Sequence, residues 1–474
     1  MAKKRYQIIA EELLLQIEQG RWHAGQKLPS LRSLADQKQV SISTVQQAYW
    51  LMERRGWVEA KNKSGFYVSS DAVLETQLPR KPGCKIIPCG LSQWRISLNS
   101  TNHDPDEIPH LFGRATPDLT LSSLNPLKKS LSRLARSANP ISLGYGALQG
   151  VDSLRQQIAR RMIDGGCKVL PQELIITSGC QEAICCALQA VTQPGDIVAF
   201  DSPTYYAIIQ MIEAMGLQAL EIPADPTTGI SIGALQLAME KWPIKVCVLT
   251  PNFGNPLGYL MPDEDKKKII DLLNLHDVPL IEDDIYSDLD FRPGRPKAIK
   301  AFDTEDRVIL CSSFSKSVVP GVRVGWVIPG RYFEQVEQQK YIVSLNSATL
   351  PQLAMAEFLE GGHYDRHIRR VKQLYAHRRD LVKDLIRKYF PKGTRISCPK
   401  GGLMLWVELP QSIDALKLST AALKQGISIA PGPMFSVSDK YSHYFRFCYG
   451  SFDEIKDIAA VEKLGELAYG LSKL

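Results

Sequence analysis

From residue 108 to the C-terminus, short apolar runs alternate with stretches of helical periodicity: Leu174–Thr177, Ile197–Phe200, Lys245–Leu249, Pro279–Glu282, Val308–Ser312 and Val322–Val327. A strand covered on both faces reads as a continuous apolar run, so this alternation predicts an α/β domain with a mostly parallel sheet between helices. The chain has 474 residues, about three times a single-domain prior of ~150, and two or more domains are expected. Apolar residues at 44% and charged residues at 23% exclude a disordered chain. No run approaches the ~18 to 20 apolar residues of a membrane span. Glu11 and Glu12 break the N-terminal apolar stretch before a signal-peptide core forms, so a cytoplasmic protein is expected. The 10 cysteines contain no C-x-x-C pair, and Cys185, Cys186 and Cys247 sit in apolar settings that suit reduced core thiols. His363 and His367 lie four apart without a supporting carboxylate pattern; surface histidines are expected there, and no metal site. Cys84 and Cys89 are read as inert thiols.

The positive charge is concentrated at one end. Residues 1–70 hold eleven Lys/Arg against six Asp/Glu, +5 of the chain's +7, which points to a small basic module with an anionic partner. Ile8, Ile9, Leu13 and Ile17 predict a helix over 6–19 that stops at Gly20. Ser30 is the expected N-cap of a short helix through Lys38, and Ser43 is the start signal of a second helix to about Arg55. Trp57–Ala60 and Gly65–Val68 read as two strands, and Tyr49, Trp50 and Trp57 as core. Two helices across a tight turn suit a helix-turn-helix reader, whose second helix opens with small polar residues to approach base edges. Here that turn is Ser41-Ile42-Ser43-Thr44, followed by Gln46 and Gln47. The strand pair with Lys61, Lys63 and Gly65 would be a wing, lysine meeting phosphate and glycine letting backbone come close. The string LPSLRSLADQKQVSISTVQQAYWLMERRGWVEAKNKSGFYV resembles the winged helix-turn-helix of the GntR family of bacterial repressors, over about residues 6–69. The resemblance implies double-stranded operator DNA as partner and sets Arg32, Ser43, Thr44, Gln46 and Gly65 against it. Ile42 stands where a basic residue is common, so guanine readout by arginine is not expected there. Residues 71–107, rich in Pro, Gly, Ser, Asn and Asp, read as a linker between a 1–70 module and a 108–474 domain.

SSFSKSVVPGVRVGW (312–326) joins an amine nucleophile, Lys316, to Ser313, Ser315 and Arg323, groups that satisfy a phosphate ester. DDIY (283–286) follows a buried-type strand; a carboxylate there can hold a pyridinium protonated, and a tyrosine three residues on can bond a phenolate. NPLG (255–258) puts an asparagine where it can donate to the same oxygen. SGCQEA (178–183) is a small-residue turn before a helix, with free backbone N–H groups for phosphate.

In order and spacing these segments resemble the fold type I pyridoxal-5′-phosphate enzymes of the aspartate aminotransferase superfamily, over about 108–470. The resemblance implies a smaller C-terminal α+β subdomain and pyridoxal 5′-phosphate as cofactor. By position, Lys316 carries the internal aldimine, Asp283 pairs with the pyridine nitrogen, Asn255 and Tyr286 contact the ring hydroxyl, and Tyr205 stacks on the ring. Gly179, Cys180 and Gln181, with Ser313, Ser315 and Arg323, hold the phosphate. Tyr145 reaches the phosphate of a neighbouring subunit, which implies a homodimer, and Arg446 clamps a substrate carboxylate. The fusion resembles the MocR subfamily of bacterial regulators, in which the large domain is thought to sense an amino acid or amine. The same residues also suit a working aminotransferase with a DNA-binding arm, or a lyase or decarboxylase on that scaffold.

Overall fold

The computed structural model describes residues 5–18, 21–22, 25–54, 57–61, 64–68, 78–80, 107–137 and 143–473. Lys63, Cys84, Cys89 and most of 71–107 lie outside them. The chain divides into two compact units, Met1–Gln77 and Leu78–Leu474.

The first unit holds helices α1 (Arg5–Glu18), α2 (Leu31–Lys38) and α3 (Ile42–Arg54) and an antiparallel hairpin, β1 (Val58–Lys61) with β2 (Gly65–Val68). Ser30 caps α2, its side chain accepting from Ser33 N–H at 3.1 Å, and Gln39 ends the helix in the left-handed region. The cap of α3 is Ser41, not Ser43: Ser41 Oγ accepts from Thr44 N–H at 3.3 Å, so the cap lies two residues earlier than expected. Ile9, Leu13, Ile17, Leu34, Val45, Tyr49 and Met52 form the core, and the Tyr49 hydroxyl donates to the Pro29 carbonyl at 2.8 Å. Trp50 is not part of that core; it stands 51% exposed because it follows Tyr49 around the helix.

The second unit is built on an eight-stranded sheet. Its strands are β3 (Ile175–Thr177), β4 (Ile197–Ser202), β5 (Gln218–Asp225), β6 (Gly229–Ile230), β7 (Ile244–Leu249), β8 (Leu280–Asp283), β9 (Val308–Ser313) and β10 (Gly325–Ile328). They lie in the order β3-β10-β9-β8-β7-β4-β5-β6, with β9, β8, β7, β4 and β5 parallel and β10 and β6 antiparallel to their neighbours. β4 and β9 are buried along their whole length, as expected for a sheet with helices on both faces. The run expected from Val322 becomes a strand only at Gly325: Pro320–Val322 is a single 3₁₀ turn and Arg323 takes φ +50°. A smaller antiparallel sheet follows, β11 (Arg395–Ile396), β12 (Met404–Glu408), β13 (Ala430–Pro431) and β14 (Tyr444–Cys448), in the order β11-β12-β14-β13. Three residues of the expected linker, Leu78–Arg80, lie on this sheet. The Arg80 N–H donates to Glu408 Oε2 at 2.5 Å, and the Tyr444 hydroxyl donates to the Arg80 carbonyl at 3.2 Å. Among the described residues no helix is long and apolar enough to cross a membrane.

Candidate functional site

The parallel strands end on one edge of the large sheet, and the reactive side chains gather there. β8 ends in Asp283, β9 in Ser313, and β3 runs into Gly179; Tyr205 and Asn255 follow β4 and β7. Asp283 is buried, and its Oδ1 accepts from the Cys180 thiol at 3.2 Å and from Ile285 N–H at 3.2 Å. No donor among the described residues is bonded to its Oδ2. Burial pushes this carboxyl up to about 6, against the pull of the Cys180 thiol and the Ile285 amide. Its neighbour Asp284 is committed elsewhere, accepting from Asn252 Nδ2 at 3.3 Å and from Ser287 and Arg295.

Lys316 follows β9 and donates from Nζ to the Ala115 carbonyl at 2.7 Å. Desolvation first, and then the nearby Arg446 charge, bring its amine down to about 8. Arg446, on β14 and only 1% exposed, donates from Nη1 to Asn255 Oδ1 at 2.9 Å and from Nη2 to the Gly113 carbonyl. Its Nε has no partner, and the guanidinium lies 5.1 Å over the Phe435 ring. Tyr286 is buried near Asp283, and burial raises its hydroxyl well above the ordinary value; Tyr205 packs its ring 4.8 Å from Tyr206.

On the other side of the site, Phe314 N–H bonds the Val324 carbonyl at 3.1 Å and ties together the two limbs of the 313–325 loop. Ser315 N–H donates to Ser313 Oγ at 3.3 Å, while the buried Ser315 Oγ has no partner. Arg323 Nη2 donates to the Ser178 carbonyl at 2.6 Å, beside Gly179 at φ +90° and ψ 170°. Gln181 is exposed in the first turn of the helix Cys180–Val191. Tyr145 lies with none of these groups and is 86% exposed.

In the first unit, Arg32, Ser43, Lys61 and Gly65 are exposed, and Thr44 and Gln46 only half so. The Thr44 hydroxyl bonds Ser41 Oγ at 2.8 Å, and Lys61 pairs with Glu59 at 3.4 Å.

A family model for aminotransferases of class I and II matches residues 117–462, and one for bacterial regulatory proteins of the gntR family matches 5–68. The Escherichia coli K12 protein YjiR, an uncharacterized HTH-type transcriptional regulator, is 43% identical over 98% of this chain and 99% of that one. The chain belongs to the MocR subfamily of GntR-type regulators. It is a transcriptional regulator with an aminotransferase-like domain. Two solved structures are similar to this MocR chain. One is the multiple substrate aminotransferase of Thermococcus profundus, with TM-score 0.73 and 26% identity, covering 85% of this chain and 98% of that one. The other is LysN, an α-aminoadipate aminotransferase of Thermus thermophilus complexed with N-(5′-phosphopyridoxyl)-L-leucine, with TM-score 0.72 and 25% identity, covering 80% and 99%.

Two residues that serve the MocR site were not legible as such. Cys180 was expected to act through its backbone, yet its thiol meets Asp283; only the tertiary contact of the turn with β8 reveals that. His367 is not a surface histidine. It is 1% exposed, bonding Ser123 Oγ at 2.8 Å and the Ser317 carbonyl at 2.9 Å, so it braces the residue next to Lys316. Its helical spacing from the buried Tyr364, Ile368 and Val371 is the signal that marks it as inward-facing. The turn at Gly179 tolerates no side chain. Its backbone lies in a region occupied almost only by glycine, and a Cβ there would stand 2.6 Å from the Arg323 guanidinium. Gly179→Ala is expected to destabilise the large unit by about 1–3 kcal/mol, read as a lower urea midpoint at unchanged slope.

Proposed function

We propose that this MocR protein is a homodimeric regulator that binds pyridoxal 5′-phosphate through its aminotransferase-like domain and answers an amino acid or amine by changing its operator binding. The observation that carries the reading is the set of buried polar groups gathered at the carboxyl ends of the large sheet's strands: the Lys316 amine, the Asp283 carboxylate with its Oδ2 unbonded among the described residues, the unpartnered Ser315 hydroxyl and, from the smaller sheet, the Arg446 guanidinium bonded to Asn255. They fit the cofactor group by group. Ser313, Ser315, Arg323 and the N–H groups after Gly179 would hold its phosphate. Asp283, kept in place by Cys180 and Ile285, would face the ring nitrogen, Asn255 and Tyr286 the ring hydroxyl, and Tyr205 the ring face. When bound, the cofactor supplies an aldehyde for amine capture and an electron-withdrawing ring. Lys316, with its lowered pKa, is the nucleophile and then the base; Arg446 orients a ligand carboxylate bidentately. Tyr145, exposed in the single chain, would reach the cofactor phosphate in a second copy.

The DNA-facing residues follow the same reading. Double-alanine replacement of Thr44 and Gln46 is expected to erode sequence preference by about 1–3 kcal/mol, while Lys61→Ala, with the neighbouring Lys63→Ala, weakens binding to all sequences and lowers the salt slope. The test of the whole is operator binding on the protein's own upstream region, with and without pyridoxal phosphate and an amino-acid panel, the cofactor's absorbance recorded alongside. Ligand-dependent, sequence-preferring binding supports the regulator. Absence of any sequence preference, together with amino-acid turnover at ordinary enzymatic rates, would leave the aminotransferase reading instead.

A further inference from the structure

The large unit carries a basic surface that neither the cofactor site nor the winged module uses. It lies on the helix Asn125–Arg136, here α4, whose sequence NPLKKSLSRLAR has four cations and no acid. Its inner side is fixed. Leu127 is buried, and Ser130 and Arg133 both bond Glu357 of the helix Thr349–Glu360. Its outer side presents Lys128, Lys129, Ser132, Arg136 and the following Ser137, all exposed, around a shallow open hollow of about 560 Å³. Lys128, Lys129 and Arg136 make no ion pair or side-chain hydrogen bond among the described residues. Arg370 continues the basic surface toward the start of α4, reaching Ser122 Oγ at 3.1 Å.

The charge here is not an average one. Residues 1–70 take +5 of the chain's +7 and leave +2 for everything after them, whereas α4 alone carries +4. Glu357 offsets Arg133, and the three cations left without a carboxylate among the described residues, Lys128, Lys129 and Arg136, repel one another across solvent at a small cost to the free protein. An anion that lies along the row recovers that cost. The hollow is open and its cations are solvated, which suits a line of phosphates better than one enclosed small anion. Nucleic-acid backbone is a polyanion of matching regular charge.

We infer that the outer face of α4 is a second DNA-contacting surface, taking the phosphate backbone outside the base pairs that the winged module reads. The inference rests on the reading that the first unit binds DNA. The two elements divide the labour: α3 and the wing carry sequence discrimination, and α4 adds affinity that is indifferent to sequence and sensitive to salt.

The test is the full-length triple variant Lys128→Ser, Lys129→Ser, Arg136→Ser, which leaves the Leu127 and Glu357 contacts in place. Binding to operator and to unrelated DNA of equal length is measured over a salt series. The log–log salt slope should fall in magnitude by about 2 to 3, because each neutralised phosphate contributes about 0.9. Affinity should drop about tenfold or more for both DNAs, with their ratio and the cofactor absorbance unchanged. An unchanged slope and affinity overturn the inference and leave an acidic protein surface as the partner of this face. A change in the operator-to-unrelated ratio also overturns it, since α4 would then be acting through base recognition. If the unaltered protein binds no DNA, both this inference and the reading beneath it fall; if it binds and the variant equals it, only this one does.

Discussion

Lys316→Ala is expected to abolish the visible absorbance of lysine-bound pyridoxal phosphate and to leave nothing covalently attached after borohydride reduction. The protein should stay folded. Among the described residues the lysine's one hydrogen bond goes to the Ala115 carbonyl, and its loss is expected to cost on the order of 1 kcal/mol. The same lysine sets a pH dependence whose sign can be fixed. Only the unprotonated amine attacks an aldehyde. Desolvation and Arg446 bring its pKa down to about 8, so cofactor uptake by the apo-protein should quicken about tenfold per pH unit between 6 and 7. It should level off above pH ~9, a unit beyond that pKa. Rates that keep climbing to pH 10 would show a lysine of ordinary basicity, and persistence of the covalent absorbance in the alanine variant would remove Lys316 from the site altogether.

The second large effect is expected at Asp283. Asp283→Asn should retain the cofactor, since Lys316, Ser313, Ser315 and Arg323 are untouched, but an amide cannot hold a protonated ring nitrogen. Any half-reaction with an amino acid that the wild type shows should slow by orders of magnitude, followed as the decay of the lysine-bound absorbance in single turnover. Compensation by the adjacent carboxylate is not expected. Asp284 points to the opposite side of the strand end, where Asn252, Ser287 and Arg295 occupy it. Equal rates in wild type and variant would place the electron-sink carboxylate elsewhere.

Much of this was legible in the chain because the central strands are buried on both faces and therefore spell themselves out as apolar runs. Among the strands that the apolar runs do not mark, Gln218–Asp225 has Glu221 and Pro223 in its middle. Glu221 is tolerated there because Ser436 and Val437 N–H bond it and Lys440 pairs with it, partners more than two hundred residues away. The limit at Val322 is of the same kind. Valines favour strands, yet Arg323 in a left-handed conformation bends the chain so that its guanidinium meets the Ser178 carbonyl. At the candidate site, Asp283, Ser313, Lys316 and Gly179 were readable because they sit at or just beyond the ends of large-sheet strands. The thiol–carboxylate contact of Cys180 and the brace from His367 were not, since both join segments that only the fold brings together. Sequence pattern picks out the candidate groups of the site; the contacts that hold them need three dimensions.

The way Arg80 is fastened has a mechanical meaning. Tyr444 and Arg446 are two positions apart on β14 and so point to the same face. Across the sheet, Trp406 is the register partner of Arg446 and lays its ring against Tyr444, centroids 5.5 Å apart at 16°. Glu408, the partner of Tyr444, receives the Arg80 N–H, while the Tyr444 hydroxyl holds the Arg80 carbonyl. One strand thus carries the guanidinium that would grip a ligand and, next to it, the peg to which the chain is hitched on its way from the DNA-reading unit. The indole of Trp406, opposite the guanidinium in register and stacked on the peg, stands beside both. The stroke separating ligand from hitch is the rise of two strand residues, about 7 Å, not the breadth of a domain.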